Sequence, residues 1–184
     1  MDDQLFGIIN GWAGQSPLLD SLMINITSNG PYVFAGTLVL FLFLKRFRAA
    51  SIMGFGAVVL AVGINFVLKY LFFRPRPFVQ EQVRLLLDHA PNSSFPSNHT
   101  TAAIAIACTV WYYNRKVGSL LIGFALLMGI SRVYVGHHYP TDVFAGMLLG
   151  VICAVIVLMV VSKLVKGKKE QQGMKQPSIK QAGD

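Results

Sequence analysis

The sequence predicts an all-α protein of the polytopic membrane class, a bundle of about five to six helices. Of its 184 residues, 54% are hydrophobic and only 13% are charged, a composition typical of membrane proteins. Several apolar segments are long enough to enter a bilayer, and polar residues between them form three short clusters. The length allows one domain, which we place in the membrane at residues 1–165, followed by a polar cytoplasmic tail at residues 166–184.

The first part of the chain is predicted to contain interfacial helices and two spans. Residues 4–29 are interrupted by glycine, proline and aspartate, so no stretch reaches the roughly 20 apolar residues of a spanning helix. We expect one or two interfacial helices there. Residues 33–44 are strongly apolar and end at a basic cluster, which predicts a short span. Residues 50–73 predict the next span, with glycines for close helix packing and Pro75 to stop it.

A long polar loop and three further spans follow. Residues 78–95 carry acidic, basic and histidine side chains, which predicts a loop with a short helix around residues 83–87. Apolar segments then predict spans at residues 99–113, 117–130 and 143–161, and a connection at residues 131–142 separates the last two. From Lys166 onwards the chain is rich in lysine and glutamine, which predicts a disordered tail.

The distribution of basic residues predicts the orientation of the chain. If every long segment crosses, eleven of the 16 Lys and Arg residues lie on one side, which the positive-inside rule assigns to the cytoplasm. The polar clusters then lie at the outer face of the cell membrane. The net charge of +8 is spread over loops and tail, so we expect the lipid bilayer and not nucleic acid as partner. The sequence carries no signal for an oligomeric state.

The three polar clusters contain the candidate functional residues, because charge at membrane depth is costly and is therefore typical of functional sites. Arginine donates through a planar fork and lysine adds a point charge, which together suit a phosphoryl group better than a carboxylate. A helix start in the second cluster would add backbone N–H groups at the positive end of a helix dipole. The clusters are residues 69–76 with Lys69, Arg74 and Arg76, residues 96–99 with Ser97, Asn98 and His99, and residues 131–142 with Arg132, His138 and Asp142.

Two histidines in these clusters are candidates for nucleophile and acid. His138 and Asp142 are four residues apart, so the carboxylate can accept a hydrogen bond from one ring nitrogen and leave the other as a nucleophile. His99 has no carboxylate within four residues and is therefore the better candidate for the acid.

With these residues the chain resembles a known family, the type 2 phosphatidic acid phosphatase superfamily of membrane lipid phosphatases, which shares its site with vanadium-dependent haloperoxidases. The family signature has three parts, KxxxxxxRP, PSGH and SRxxxxxHxxxD. The chain reads KYLFFRPRP from Lys69, PSNH from Pro96 and SRVYVGHHYPTD from Ser131, in the same order and with the same spacing. Asn98 stands where the family usually has glycine, and asparagine tolerates left-handed backbone better than most residues.

The resemblance implies a role for each matched residue. His138 forms a phosphohistidine, Asp142 orients it, and His99 protonates the leaving group. The implied phosphate-binding residues are Lys69, Arg76, Ser97, Asn98 and Arg132. No metal or organic cofactor is expected, because the sequence has no cluster of acidic or cysteine ligands and the cations neutralise the phosphate.

Three polar residues near the clusters lie outside the signature. Arg74 is interpreted either as a further phosphate contact or as an interfacial anchor. His89 and His137 are interpreted as residues of a loop or of the rim of the site.

Within the superfamily, the segments FRPRPFV, SFPSNHTT and SRVYVGHHYPTDV look most like the bacitracin-resistance undecaprenyl-diphosphate phosphatases. This likeness implies hydrolysis of undecaprenyl diphosphate to undecaprenyl phosphate and phosphate at the outer face of the membrane, which recycles the carrier lipid of cell-wall synthesis. The expected substrate is therefore a membrane lipid.

Two alternatives remain open on the sequence alone. The same signature serves phosphatases of phosphatidylglycerol phosphate, phosphatidate and other lipid phosphates. A transporter or channel could also use intramembrane charges, although here they are predicted at one face rather than along a path across the membrane. A haloperoxidase is disfavoured, because those enzymes need vanadate and are usually soluble.

Overall fold

The computed structural model describes residues 2–80 and 82–174, and within these ranges the regular structure is helical. The predicted all-α bundle is confirmed. The helices are α1 Asp2–Asn10, α2 Pro17–Phe43, α3 Arg48–Leu71, α4 Pro77–Gln80, α5 Asn98–Tyr113, α6 Arg115–Tyr134 and α7 Pro140–Met174.

Four helices are long and apolar enough to cross a membrane, namely α2, α3, α6 and the part of α7 from Pro140 to Leu164. The chain is therefore a multi-pass membrane protein. The shorter α5 lies among α3, α6 and α7, and its alanine and threonine side chains are buried on several sides. Small side chains suit this central position, because they allow the surrounding helices to approach closely.

Helix α2 differs from the prediction. Residues 4–29 and 33–44 were expected to form separate elements, but Pro17–Phe43 is one continuous helix that includes Pro31. Pro17 occupies a first-turn position, where the missing N–H has no helical partner in any case. The carboxylate of Asp20, also in the first turn, accepts the backbone N–H of Gly14 at 3.0 Å. The prediction of separate elements was wrong, because both residues favour a helix start and proline inside a membrane helix is tolerated.

The loop between α4 and α5 contains no helix at residues 83–87, so that prediction was also wrong; the short helix lies at Pro77–Gln80. The backbone N–H of Arg84 donates to Oδ1 of Asn10 at 3.0 Å, and that of Leu86 donates to the carbonyl of Val135 at 3.3 Å. Since these donors are used by contacts to α1 and to the end of α6, the segment follows the end of the bundle instead of forming its own turns.

Successive long helices run in opposite directions and give the bundle two different ends. One end gathers the last turns of α3 and α6 and the first turns of α5 and α7, which carry the three polar clusters. Helix α1 lies at this end against α6 and α7, with Phe6 packed on Tyr139 at a centroid distance of 5.5 Å. The other end carries basic residues, namely Lys45 and Arg46 in the α2–α3 connection and Arg115 and Lys116 in the first turn of α6, next to the α5–α6 connection.

Close contact between α5 and α7 sets the position of the second and third clusters. A Cβ added at Gly150 would lie 2.6 Å from the carbonyl oxygen of Thr101, and one at Gly146 would lie 2.9 Å from that of Ser97. The backbone N–H of Ser97 donates to the carbonyl of Asp142 at 3.1 Å. Glycine thus allows backbone contact where the two helices begin.

The backbone of α7 is helical as far as Met174, so its first residues beyond Lys166 are not irregular as the sequence predicted. The remainder of the predicted tail, residues 175–184, lies outside the described residues. The boundary at residue 165 and the cytoplasmic location of the tail remain predictions.

Candidate active site

A cavity of about 440 Å³ opens where the polar clusters meet. It is bounded by the end of α3, the loop before α5, the start of α5 and the α6–α7 connection. Among the predicted residues, Ser97, Arg132 and Asp142 are buried at this end of the bundle without lining the cavity. The lining consists of Phe66, Lys69, Tyr70, Phe73, Arg76, His89, Asn92, Ser93, Asn98, His99 and His138.

The first cluster supplies two cations to this cavity. Lys69 lies in the last turn of α3, and its Nζ donates to the carbonyl of Ser93 at 2.8 Å. Arg76 follows the helix between two prolines, and its Nη1 donates to the carbonyl of His137 at 2.8 Å. Nε and Nη2 of Arg76 donate to Oδ1 of Asn92 at 3.0 and 2.8 Å. Burial lowers the pKa of Arg76 to about 10, so the guanidinium remains charged at neutral pH.

The second cluster forms the start of α5. Ser97 is the N-cap with extended backbone, and its Oγ lies 3.1 Å from Oγ1 of Thr100 rather than on a backbone N–H. Asn98 and His99 are the first residues of the helix, and both line the cavity. The positive end of the α5 dipole therefore lies at the cavity, which favours a bound anion.

The third cluster is not a simple loop, because its first residues belong to α6. Gly136 has φ +88°, a conformation that favours glycine, and it ends the helix so that the N–H groups of His137 and His138 donate to the carbonyl of Arg132 at 3.0 and 3.3 Å. Arg132 is 4% exposed, and its Nε and Nη2 have no hydrogen-bond partner among the described residues. The hydroxyl of Ser131, the residue before Arg132, does not line the cavity and donates to the carbonyl of Met128 inside the bundle at 2.7 Å.

The hydrogen bonding of His138 indicates its tautomer. Nη1 of Arg76 lies 3.2 Å from Nε2 of His138, and since a guanidinium can only donate, Nε2 must be the acceptor. In the neutral ring the proton is then on Nδ1, which faces Oδ2 of Asp142 at 3.7 Å. This distance is longer than the hydrogen bond expected from the sequence. Burial first, and then the nearby Arg132 and Arg76, lower the pKa of His138 well below its ordinary value, so the ring is neutral at neutral pH.

Residues outside the signature occupy distinct positions. Arg74 does not line the cavity, and its guanidinium contacts Asp142 and Asp2. His89 lines the cavity, and its ring packs edge to face on that of His137 at 4.7 Å. His137 is buried, with Nε2 2.9 Å from the carbonyl of Leu87.

Three site residues were missed by the sequence reasoning. Asn92 and Ser93 hold Arg76 and Lys69, and Asp2 contacts Arg74 from the first helix. No motif surrounds them in the sequence, and their contacts come from distant parts of the chain. A proline-bounded polar loop between two clusters was the one available signal for Asn92 and Ser93.

The arrangement has the groups needed to bind an anion and attack it. Lys69, Arg76 and Arg132 provide positive charge, His138 offers an unprotonated Nε2, and His99 lines the same cavity as a candidate proton carrier. Within the described part of the chain, no three His, Cys, Asp or Glu side chains come close enough to hold a metal ion.

A second cavity of about 370 Å³ lies beside the first, among α2, α3, α5 and α6. Both cavities are lined in part by Asn98 and His99, the first residues of α5. The polar cavity and the second, apolar cavity, which we call the apolar groove, therefore adjoin there. The rest of the groove is lined by Pro31, Phe34, Ala35, Leu38, Val39, Phe55, Val58, Val62, Ala102, Ala103, Ile106 and Met128.

Comparisons with known proteins agree with this geometry. The PAP2 superfamily matches residues 49–166, a range that contains all three polar clusters. The undecaprenyl-diphosphatase BcrC of Bacillus subtilis (strain 168) is 39% identical over 158 residues, covering 83% of this chain and 80% of the relative. The bacitracin transport permease protein BcrC of Bacillus licheniformis is 31% identical over 162 residues, covering 86% of this chain and 80% of the relative.

A solved structure shows the same fold. The crystal structure of Aquifex aeolicus LpxE superimposes with a TM-score of 0.75 at 34% identity, covering 86% of this chain and 94% of that one. The resemblance predicted from the three clusters is confirmed, and the chain belongs to the PAP2 superfamily.

Proposed function

We propose that this protein hydrolyses undecaprenyl diphosphate to undecaprenyl phosphate and phosphate at the outer face of the cell membrane, through a phosphohistidine on His138. The observation that carries the proposal is the position of the unprotonated Nε2 of His138, beside Arg76 in a cationic cavity that adjoins an apolar groove. The choice of lipid is supported by the similarity to the undecaprenyl-diphosphatase BcrC of B. subtilis.

The terminal phosphate of the substrate binds first. Lys69, Arg76 and the start of α5 at Asn98 all line the cavity and would contact this phosphate. The guanidinium of Arg132 is buried at the same end of the bundle, and two of its nitrogen atoms are not used by any described residue. Charge-assisted hydrogen bonds from such groups neutralise the phosphate and allow a nucleophile to approach.

Phosphoryl transfer then proceeds in two steps. Nε2 of His138 attacks the terminal phosphorus, and the bond from that phosphorus to the bridging oxygen breaks. His99 acts in its imidazolium form, which the negative charge of the bound diphosphate favours, and donates its proton to this oxygen, which leaves as part of undecaprenyl phosphate. Asp142 stabilises the positive charge that develops at Nδ1 of His138. Water next attacks the phosphohistidine, its proton passes to His99, and the broken P–N bond restores Nε2.

The apolar groove is suited to the prenyl chain. It is lined almost entirely by hydrocarbon side chains of α2, α3 and α5 and begins at His99, where the phosphates would lie. A lipid could therefore keep its chain in the bundle while its phosphates occupy the polar cavity. The basic connections at the opposite end of the bundle support an outward-facing site under the positive-inside rule.

Other lipid phosphates are the second candidate substrates. The cavity contacts phosphate oxygens, and the groove offers generic apolar surface, so both features would also accept phosphatidylglycerol phosphate or phosphatidate. A transporter is disfavoured, because the cations lie at one end of the bundle rather than along a path through it.

Phosphate release by the purified full-length protein from a panel of these three lipids tests the proposal. We expect the fastest release from undecaprenyl diphosphate; equal rates on phosphatidate would contradict the narrow assignment. His138→Ala should reduce release at least about a thousandfold, as loss of a nucleophile does. His99→Ala should also be inactive, and its elution on size exclusion should match the wild type.

A labelled terminal phosphate tests the intermediate directly. Label should remain on the wild-type protein after an alkaline quench and be lost in acid, the behaviour of a phosphoramidate. His138→Ala should retain none. Normal phosphate release by both His138→Ala and His99→Ala would contradict the proposed phosphohistidine mechanism.

A further inference from the structure

A hydrogen-bonded network links the N-terminal helix to Asp142 through Arg74. Nη1 of Arg74 donates to Oδ1 of Asp142 at 2.8 Å and to Oγ1 of Thr141 at 2.7 Å. Nη2 of Arg74 donates to Oδ2 of Asp2 at 2.7 Å. Asp2 also accepts the backbone N–H of Thr141 at 3.1 Å. Arg74 is therefore held between the first turn of α1 and the first turn of α7.

Asp142 needs such a partner because its side chain is fully buried, at 0% exposure. A buried carboxylate is costly unless it is paired and hydrogen-bonded. Its Oδ2 accepts the backbone N–H of Tyr139 at 2.9 Å and faces Nδ1 of His138 at 3.7 Å. Among the described residues, Arg74 is the one Lys or Arg that forms an ion pair with this carboxylate. Together with a hydrogen bond from the Ser94 side chain, these contacts hold the carboxylate with Oδ2 facing the imidazole.

The position of Arg74 is itself restrained. Its guanidinium lies over the ring of Tyr139, 4.0 Å from the centroid, and its side chain is 31% exposed. Arg74 does not line the phosphate cavity, so it would affect His138 through its ion pair with Asp142 and not by contact with the phosphate. Helix α1 contributes to this restraint because Asp2 accepts from Nη2, the terminal nitrogen that does not contact Asp142.

We propose that Arg74 is a positioning residue, which holds Asp142 so that Oδ2 faces His138, and that Asp2 on α1 holds Arg74 in turn. The proposal rests on the proposed function of His138 and Asp142. It assigns α1 to the active site, although this helix lies outside the matched family range. It also replaces both sequence interpretations of Arg74, the phosphate contact and the interfacial anchor.

Steady-state kinetics of Arg74→Met on the best lipid substrate tests this role. We expect kcat to fall about tenfold to a hundredfold, the usual scale for loss of an outer partner, while KM changes little. Arg74→Lys should recover part of the loss, because an ammonium can pair with Asp142 at one point. A raised KM with unchanged kcat would identify a phosphate contact and overturn the proposal.

A double-mutant cycle separates positioning from general destabilisation. In the background of Asp142→Asn, Arg74→Met should lower kcat much less than in the wild type, because the group through which it acts is already altered. Full additivity would contradict the proposal. Asp2→Asn should reduce kcat by a smaller factor than Arg74→Met.

Arg84→Met is the matched control. Nη1 of Arg84 donates to the carbonyls of Gly11 and Ala13 at 3.0 and 2.7 Å, so it anchors the same N-terminal segment without contacting Asp142. We expect a nearly normal kcat for this variant. Equal losses in the Arg84 and Arg74 variants would show that docking of the segment, and not orientation of Asp142, is what matters.

A spectroscopic measurement is independent of turnover. With ¹⁵N-labelled histidine, the ring nitrogen shifts of His138, assigned through His138→Gln, should change in Arg74→Met and stay constant in Arg84→Met. An unchanged His138 spectrum in Arg74→Met would overturn this proposal even if no lipid of the panel were hydrolysed. Lack of phosphate release by the wild type with the expected spectral change would instead contradict the proposed function alone.

Discussion

Adjacent histidines have different surroundings in this protein. Nε2 of His138 faces Arg76 and the cavity, whereas Nε2 of His137 faces the carbonyl of Leu87. Burial, followed by the charge of Arg132, lowers the pKa of His137 to about 3 and also lowers that of His138 well below its usual range. Both rings are therefore neutral near pH 7, and the positive charge of the site comes from lysine and arginine.

The low pKa of His137 predicts that stability falls in acid. Between about pH 6.5 and pH 3, an unfolded His137 binds a proton that the folded one does not, so protonation favours the unfolded state as the pH falls. Thermal unfolding of the purified protein should show a decreasing Tm from pH 7.5 to pH 5. His137→Gln, whose amide can still donate to Leu87, should show a shallower decrease; an identical slope would contradict this account.

At the residue scale, the sequence predicted the groups that share a motif and missed those that do not. One cavity is lined by Lys69, Arg76, His99 and His138. The fixed spacings within each cluster place these residues at helix ends or directly beside them. Asn92 contacts Arg76 through a loop whose path depends on long-range hydrogen bonds, which local sequence patterns do not encode.

Among the elements, the contact between α5 and α7 matters most for the site. Ser97 and Asp142 stand at the beginnings of these helices and are joined by a backbone hydrogen bond of 3.1 Å. The glycines of α7 allow the helices to touch along the next two turns. Helix α2 was harder to predict, because its polar residues and Pro31 lowered the apolar signal without breaking the helix.

Gly150→Ala should destabilise the bundle. The added Cβ would lie 2.6 Å from the carbonyl of Thr101 and would force α5 and α7 apart, at a cost of roughly 1–3 kcal/mol. Gly63→Ala is the matched control, since a Cβ there meets no atom within 4 Å and alanine favours the helix by roughly 0.5–1 kcal/mol. Thermal unfolding should give a lower Tm for the first variant only; equal Tm values would refute the close contact.

For the whole molecule, the charge pattern and the helix order agree. The basic residues of the α2–α3 connection and of the first turn of α6 lie at one end, and the cavity lies at the other. The sequence alone predicted that the basic connections and the polar clusters lie at opposite ends. This prediction requires only the order of the crossing segments and the positions of the Lys and Arg residues between them. The position of residues 82–95 beside the cavity, which His89, Asn92 and Ser93 line, could be seen only in the structure.

Cysteine labelling on intact cells tests the orientation. In a Cys108→Ala, Cys153→Ala background, Asp88→Cys in the loop beside the cavity should react with a membrane-impermeant maleimide. Lys116→Cys in the first turn of α6, at the opposite end of the bundle, should react only after the cells are permeabilised. The reverse pattern would place the cavity in the cytoplasm and contradict the positive-inside assignment.

The junction at Asn98 and His99 has a consequence for how the two products separate. These residues border both the polar cavity and the apolar groove. Under the proposed reaction, the bond that breaks lies at this border, so inorganic phosphate departs into water while the lipid product slides sideways into the leaflet. The products then leave by different routes, and accumulation of the lipid product in the membrane need not obstruct the exit of phosphate.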